Sequence, residues 1–384
     1  MTDFPQNLKK KLSKRHKENA FRKLGSKVGL IDFSSNDYLG FSREEAIFKM
    51  ALEIMVSEEK GQNGATGSRL LSGNHGLYTR LEAYLSEGYN ADAALVFNSG
   101  YDANLGFFST VPQRGDLILY DELCHASIRD GIQLSNAKAY KFKHNRMDDL
   151  AGQLHKWLGK PGNRDSEIYV STESVFSMDG DSPDLAALVA FCEEHNLHLV
   201  VDEAHALGIF GKGKINVLGL EKKVFARIIT FGKALGVHGA AVLGSINLKD
   251  FLVNFCRSFV YTTALPPHTL AAILGACYFF DEKHGVQSVR RLKDNIAHFK
   301  SVVLKNGLST HFIESNSAIQ SCIVAGNEKV KSLSHSLREN GFDVRPILSP
   351  TIPKGAERLR FCLHAFNTKE EILGALEVVK KNFE

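Results

Sequence analysis

Short apolar runs punctuate the chain, each of strand length and apolar on consecutive residues: Ala94–Phe97, Leu117–Tyr120, Ile168–Ser171, Leu199–Val201, Ile228–Thr230 and Ala240–Leu243. Continuous rather than alternating hydrophobicity predicts strands covered on both faces. Stretches of helical spacing, such as Leu77–Glu87 and Leu185–Asn196, separate them. Strands alternating with helices predict an α/β fold with a mostly parallel sheet. From about Gln287 the pattern changes. A charged helix (Ser288–Leu304) closes near Asn306-Gly307, a C-cap signal, and leads to an apolar strand (Ile319–Val324), a helix, VRPILSP, RLRFCLH and a closing helix. This reads as a smaller α+β domain. At the other end, residues 1–30 read as a basic amphipathic helix and a turn, and residues 31–40 as a short apolar segment broken by Ser, Asn and Gly. The expected organisation is an N-terminal helix and segment (1–40), a large domain (41–285) and a small C-terminal domain (286–384).

Composition adds little to this picture and excludes several alternatives. With 384 residues, 43% apolar and 23% charged, the chain is an ordinary globular protein of more than one core. The net charge is +4, and much of the excess sits in Lys9, Lys10, Lys11, Lys14, Arg15, Lys17, Arg22 and Lys23. A solvated helix face accounts for that run, and nucleic-acid binding would want a larger surplus with aromatic platforms. The six cysteines form no C-x-x-C pair, so reduced thiols are expected rather than a disulfide framework or a metal site. Asp3, Pro5 and the lysines are followed by no apolar run, which predicts neither a signal peptide nor a membrane span, and a cytoplasmic location.

In an open α/β sheet, ligands bind beyond the carboxyl ends of the strands. The residues that follow each predicted strand here are chemically capable: Asn98-Ser99-Gly100-Tyr101, Asp121 to His125, Thr172 to Ser177, Asp202 to His205, and Phe231-Gly232-Lys233. A lysine desolvated at such an edge supplies a neutral amine for imine formation. Asp202, a costly charge at a strand end, wants a cationic partner, of which a protonated pyridine nitrogen is one; taken alone, Asp202 is better read as an ordinary helix N-cap. Ser99-Gly100-Tyr101 opens a helix after a strand, where free N–H groups suit a phosphate, and Thr230 offers a further hydroxyl. His205, His125 and Ser177 each have ordinary core or turn readings when taken singly.

Other motifs carry less. Asp202 to His205 spell DEAH, but no G-x-x-x-x-G-K-[ST] accompanies it. The glycines of 208–213 lack G-x-G-x-x-G spacing. Cys124-His125 is a poor thiol dyad because adjacent residues usually point apart, and His195 and His198 lack further ligands.

The segments FSSNDYLG (33–40), GSRLLSGNHGLYTRLE (67–82), FNSGYDAN (97–104), DELCHASIRDG (121–131), TESVFSMDGDSPDL (172–185), VDEAHALGIFG (201–211), TFGKALGVHGAAVLGS (230–245), YTTALPP (261–267) and RLRFCLHAFNT (358–368) span nearly the whole chain in order. As a set they resemble the α-oxoamine synthases. These are enzymes dependent on pyridoxal 5'-phosphate (PLP), with the aspartate-aminotransferase-like fold (fold type I). The resemblance implies a large domain with a mostly parallel seven-stranded sheet and a smaller C-terminal α+β domain. It also implies roles. Lys233 holds PLP as an imine and later moves the Cα proton. Asp202 pairs with the ring nitrogen, His205 and Ser177 with the ring oxygen, and His125 stacks on the ring. Ser99, Gly100, Tyr101 and Thr230 hold the phosphate. Thr262 and Thr263 reach the phosphate of the partner subunit, which implies a homodimer with shared sites. Arg360 binds the amino-acid carboxylate, and Arg22 and Asn36 contact substrate or product.

Within the family the motifs are most similar to the branch that joins L-alanine to a pimeloyl thioester, carried by CoA or acyl-carrier protein, with loss of CO2. Glu203 and GVHGAA favour that branch over the one using glycine and acetyl-CoA. A non-catalytic module on the same fold would be expected to have lost the lysine or the aspartate, and both are present. His238 and Ala264 depart from the family's usual small residue and Ser, and bear on how the acyl chain is lodged.

Overall fold

A computed structural model describes residues 4–22, 24, 29–163, 166–349 and 351–383. Lys23 and residues 25–28, in the stretch read as basic and turn-forming, lie outside the described residues, as do Asp3 and Pro350 of the motifs above. The chain divides into two compact units: residues 1–36, 178–180 and 291–384 form one, and residues 37–177 and 181–290 the other.

The first unit opens with α1 (Gln6–Lys17), which buries none of its side chains and carries four basic residues in its last turn. Next comes β1 (Ile31–Asp32). The chain then builds the larger unit from α2 (Glu45–Ser57), α3 (Gly76–Gly88), β2 (Ala93–Phe97), α4 (Gly100–Thr110), β3 (Leu117–Asp121), α5 (Ala126–Leu134), β4 (Lys138–Phe142), α6 (Met147–Leu158), β5 (Ile168–Glu173), α7 (Leu185–Glu194), β6 (His198–Asp202), α8 (Lys214–Val217), β7 (Ala226–Thr230), β8 (Ala240–Gly244), α9 (Ile246–Phe255), α10 (Arg257–Val260) and α11 (Pro267–Asp281). Helix α12 (Lys283–Lys305) carries the chain back to the first unit. There it forms β9 (Ile319–Ile323), α13 (Asn327–Glu339), β10 (Phe342–Asp343), β11 (Arg345–Ile347), β12 (Arg358–Cys362) and α14 (Lys369–Lys381).

The seven-stranded sheet of the larger unit has the order β2-β8-β7-β6-β5-β3-β4. Only β8 runs against its neighbours; the other pairings are parallel. Both faces are covered. Leu117, Leu119, Leu199 and Val201 pack with Leu150, Trp157 and Leu188 on one side. Ile118, Val200, Ile228 and Val242 pack with Phe107, Phe108 and Ile128 on the other. Successive residues of one strand thus enter opposite cores, which is why the strands read as unbroken apolar runs. The sheet contains one strand that the apolar runs did not mark. Strand β4 lies at an edge and leaves Lys138, Tyr140 and Lys141 exposed, so its pattern is polar and guards the edge against pairing with other chains.

In the first unit, β9, β12 and β11 form an antiparallel sheet. Strand β1 pairs with β10. Thr368 and Glu371 form a reciprocal capping box on α14. Among the described residues, no helix is long and apolar enough to cross a membrane.

Candidate active site

Strands β2, β3, β5, β6 and β7 run in the same direction, so the residues that follow them emerge at one edge of the sheet. After β7 the chain turns through Phe231 and Gly232, and a bond from Gly236 N–H to Lys233 O closes the turn bearing Lys233. Gly236 has φ +66°, and a Cβ there would collide with the backbone nitrogen of Ser42. Only glycine fits this combination of backbone sign and close approach.

Lys233 Nζ lies 2.7 Å from His205 Nε2. His205 Nδ1 lies 2.8 Å from the hydroxyl of Tyr38. His205 is 4% exposed and Tyr38 fully buried. Asp202, the last residue of β6, is 5% exposed. Its Oδ1 accepts from the N–H of Ala204, and its Oδ2 accepts from Asn104 Nδ2 at 2.8 Å. The same Asn104 amide donates to Ser127 Oγ, which lies 2.8 Å from His125 Nδ1. A continuous network therefore joins Asp202, Asn104, Ser127 and His125. His125 caps α5. It is open to solvent, yet enough protein surrounds its ring that burial is the main influence holding its pKa below the ordinary value; Lys233 adds to that and Asp202 opposes it.

Glu173 ends β5 directly beside Asp202. It is 2% exposed and accepts the backbone N–H of His125 at 2.7 Å. Burial, with the neighbouring Asp202 charge, raises its pKa to about 8. The adjoining Cys124 thiol is buried, points to Ser171 O at 3.7 Å and is pushed well up in pKa by burial, so it forms no dyad with His125.

Ser99 is the N-cap of α4: its Oγ accepts from Asp102 N–H and donates to Asp102 Oδ2. The first intrahelical bond runs from Ala103 N–H to Ser99 O, leaving the N–H groups of Gly100 and Tyr101 ahead of it. A Cβ on Gly100 would lie 3.6 Å from Thr230 Cβ, so the start of α4 abuts the end of β7. Thr230 Oγ1 donates to Gly239 O at 3.1 Å. The Tyr101 hydroxyl is turned outward to Asp130. Asn98 Nδ2 donates to Thr262 Oγ1 and to Thr263 O, so the 262–263 segment is tied to the start of α4 within one chain. Ala264 is buried, and a Cβ at Gly73, in the π-helical turn Arg69–Gly73, would lie 2.5 Å from its methyl group. Close packing against this turn accounts for a small residue at 264. Ser177 is half-buried on the loop after β5, and His238 is exposed.

Three residues read as substrate contacts belong to the first unit. Arg360, on β12, donates from Nη2 to Asn36 Oδ1 at 3.1 Å and from Nη1 to Cys362 Sγ. Its neighbour Arg358 is buried against Asp179. Arg22 is exposed and donates to Thr351. Glu203, in the DEAH segment, is structural. It is fully buried and pairs with Arg227, whose guanidinium also donates to Tyr89 O and Lys212 O.

An amine, a carboxylate fixed by two donors, two imidazoles and a helix start meet at this edge. That donor set matches PLP: an aldehyde for the amine, a ring nitrogen for the carboxylate and a phosphate for the helix. Among the described residues, no group of three or more His, Cys, Asp or Glu is arranged to hold a metal.

Residues 28–379 match the family described as aminotransferase class I and II, and the chain belongs to it. The 8-amino-7-oxononanoate synthase of Emericella nidulans is 40% identical over 365 residues, covering 91% of this chain and 88% of its own. The crystal structure of the Francisella tularensis 8-amino-7-oxononanoate synthase superposes with TM-score 0.76 at 30% identity, over 92% of this chain and 98% of that one. SPT solved with a PLP internal aldimine superposes with TM-score 0.86 at 26% identity, over 98% and 96%. Within its family the chain is thus one of the α-oxoamine synthases.

Proposed function

We propose that this chain is a PLP-dependent synthase that condenses L-alanine with a pimeloyl thioester of CoA or acyl-carrier protein, giving 8-amino-7-oxononanoate, CO2 and the free thiol. The observation that carries this reading is the 2.7 Å contact of Lys233 Nζ with His205 Nε2, made at the sheet edge where Asn104 fixes Asp202.

Bound there, PLP supplies an aldehyde and a cationic ring that accepts the electron pair of a bond broken at the amino acid's Cα. Lys233 would hold the aldehyde carbon through Nζ, and its free amine would move the Cα proton of the amino acid. Asp202 keeps a proton on the ring nitrogen. His125 covers one ring face and excludes water from it. Ser177 and His205 hydrogen-bond the ring oxygen. Ser99, Gly100, Tyr101 and Thr230 bind the phosphate, and Thr262 and Thr263 serve the phosphate of the partner in a cytoplasmic homodimer. Arg360 would hold the alanine carboxylate through two parallel hydrogen bonds, and Asn36 and Arg22 would contact substrate or product. Positioned acid–base help of this kind contributes about 10²–10⁴-fold.

A panel of L-alanine, glycine and L-serine against pimeloyl-, acetyl- and palmitoyl-CoA tests the reading. Alanine with the pimeloyl donor is expected to give the highest kcat/KM. Faster turnover of glycine with acetyl-CoA would move the chain to another branch, and no turnover of any pair would make it a binding module.

A further inference from the structure

Tyr38 lies on the segment between β1 and α2, far in sequence from Lys233, and the roles above leave it unused. It is fully buried, and its hydroxyl meets His205 Nδ1 at 2.8 Å while the other ring nitrogen meets Lys233 Nζ at 2.7 Å. We infer that Tyr38 is a positioning residue that, through His205, draws a proton from Lys233 and so prepares the amine to capture an aldehyde; this rests on the reading of Lys233 as the cofactor lysine.

As an ammonium, Nζ only donates, so Nε2 accepts. The neutral ring then carries its proton on Nδ1 and donates it to Tyr38 Oη. Transfer breaks one Nζ–H bond, leaves its electron pair on the nitrogen and forms Nε2–H. The charge moves from lysine to imidazolium, whose Nδ1–H stays bonded to Oη. A hydrogen bond to the charged ring is stronger than one to the neutral ring, so the tyrosine favours the state in which Lys233 holds a lone pair. Among the described residues, His125, Glu173 and Asp202 act on the same site. Lys233 lies near enough to His125 and Glu173 to influence both, and Asp202 acts on each of them. All three are unchanged in the variants compared below, so their influence is common to every arm of the test.

The test compares full-length wild type, Tyr38→Phe, His205→Gln and the double variant. Each is stripped of cofactor and treated with trace acetic anhydride across pH, with acetylation of Lys233 read by mass spectrometry. Tyr38→Phe keeps the buried ring and removes only the hydroxyl. Its labelling rate at Lys233 on the pH-independent plateau below the midpoint is expected to fall about tenfold from wild type, the size of one lost hydrogen bond to a charged group. In the His205→Gln background the same substitution is expected to leave that rate unchanged. A plateau rate within about twofold of wild type, or an equal fall with and without His205, overturns the inference. Isotope-labelled histidine NMR on the unaltered protein gives a second reading that needs no variant: the His205 proton is expected on Nδ1 at neutral pH, and a proton on Nε2 beside a charged Lys233 overturns it. Adding PLP separates this outcome from the broader one. If wild type captures PLP on Lys233 while Tyr38→Phe labels as wild type does, the relay fails and the cofactor assignment stands; if no capture occurs at Lys233, the assignment itself fails.

Discussion

Glu173 and Asp202 stand opposite each other at the carboxyl ends of adjacent parallel strands, Cα paired with Cα in register. Two carboxyl groups so close, one of them fully desolvated, do not both ionise readily. The burden falls on Glu173, whose pKa burial and Asp202 raise to about 8.

A pH-dependent cost follows. Because the folded pKa lies above the unfolded value, Glu173 contributes stability that is fully present below the ordinary glutamate range and is lost as pH rises through about 8. Glu173→Gln keeps an acceptor for His125 N–H and removes the titration. In urea unfolding without cofactor, the variant is expected to gain on wild type by a few kcal/mol at about pH 9, since a displaced pKa is worth roughly 1.4 kcal/mol per pH unit. At acid pH the two are expected to match. Parallel stability curves would contradict this.

His144 runs the other way in its chemistry. Burial alone would lower its pKa, but its two ring nitrogens bond Asp121 at 2.9 Å and Asp181 at 2.8 Å, and these raise it to about 9. The bridge is complete below the unfolded pKa and is lost as pH rises through about 9. His144→Gln is expected to destabilise the protein at neutral pH by on the order of 2–3 kcal/mol and to show a flatter stability profile between neutral pH and about pH 9, read by thermal melts.

Lys233→Ala is expected to bind PLP without a covalent bond and to lose turnover by at least about 10²-fold. Borohydride reduction followed by peptide mass spectrometry checks the first point. A pyridoxyl group found on another lysine would refute the assignment of Lys233.

The Glu203–Arg227 pair is buried on both sides. Arg227→Ala leaves Glu203 uncompensated and is expected to cost about 3–5 kcal/mol in urea unfolding. At a temperature where it stays folded, its kcat is expected to be unchanged, because the pair is engaged with Tyr89 and Lys212 rather than with the Lys233 cluster.

Arg360→Lys keeps the charge and loses the planar fork. The expected result is a rise in KM for alanine of about tenfold or more, with little change in KM for the thioester. Steady-state kinetics in each substrate separates the two.

What the chain reveals unaided follows from burial. Strands covered on both faces are legible because every position is apolar, and the polar residues after each strand stand out against them. Strand β4 is not legible, because an edge strand presents lysines and tyrosine to water. Nor are the partners that complete the site. Tyr38 lies in a short apolar segment broken by Ser, Asn and Gly, where nothing marks His205 as its partner. Asn104 sits mid-helix and finds Asp202 only through the fold. Arg227, in a strand otherwise apolar, is silent until Glu203 is seen beside it. Spacing in sequence carries no sign of such contacts; they arise where elements remote along the chain are packed together.

Gly236 touches no reacting atom, yet any side chain there would strike the backbone of Ser42 in a conformation only glycine accepts comfortably. In a genetic screen, an allele at this silent-looking position would mimic loss of Lys233 three places earlier, and only inspection of the turn would tell a displaced side chain from a missing one.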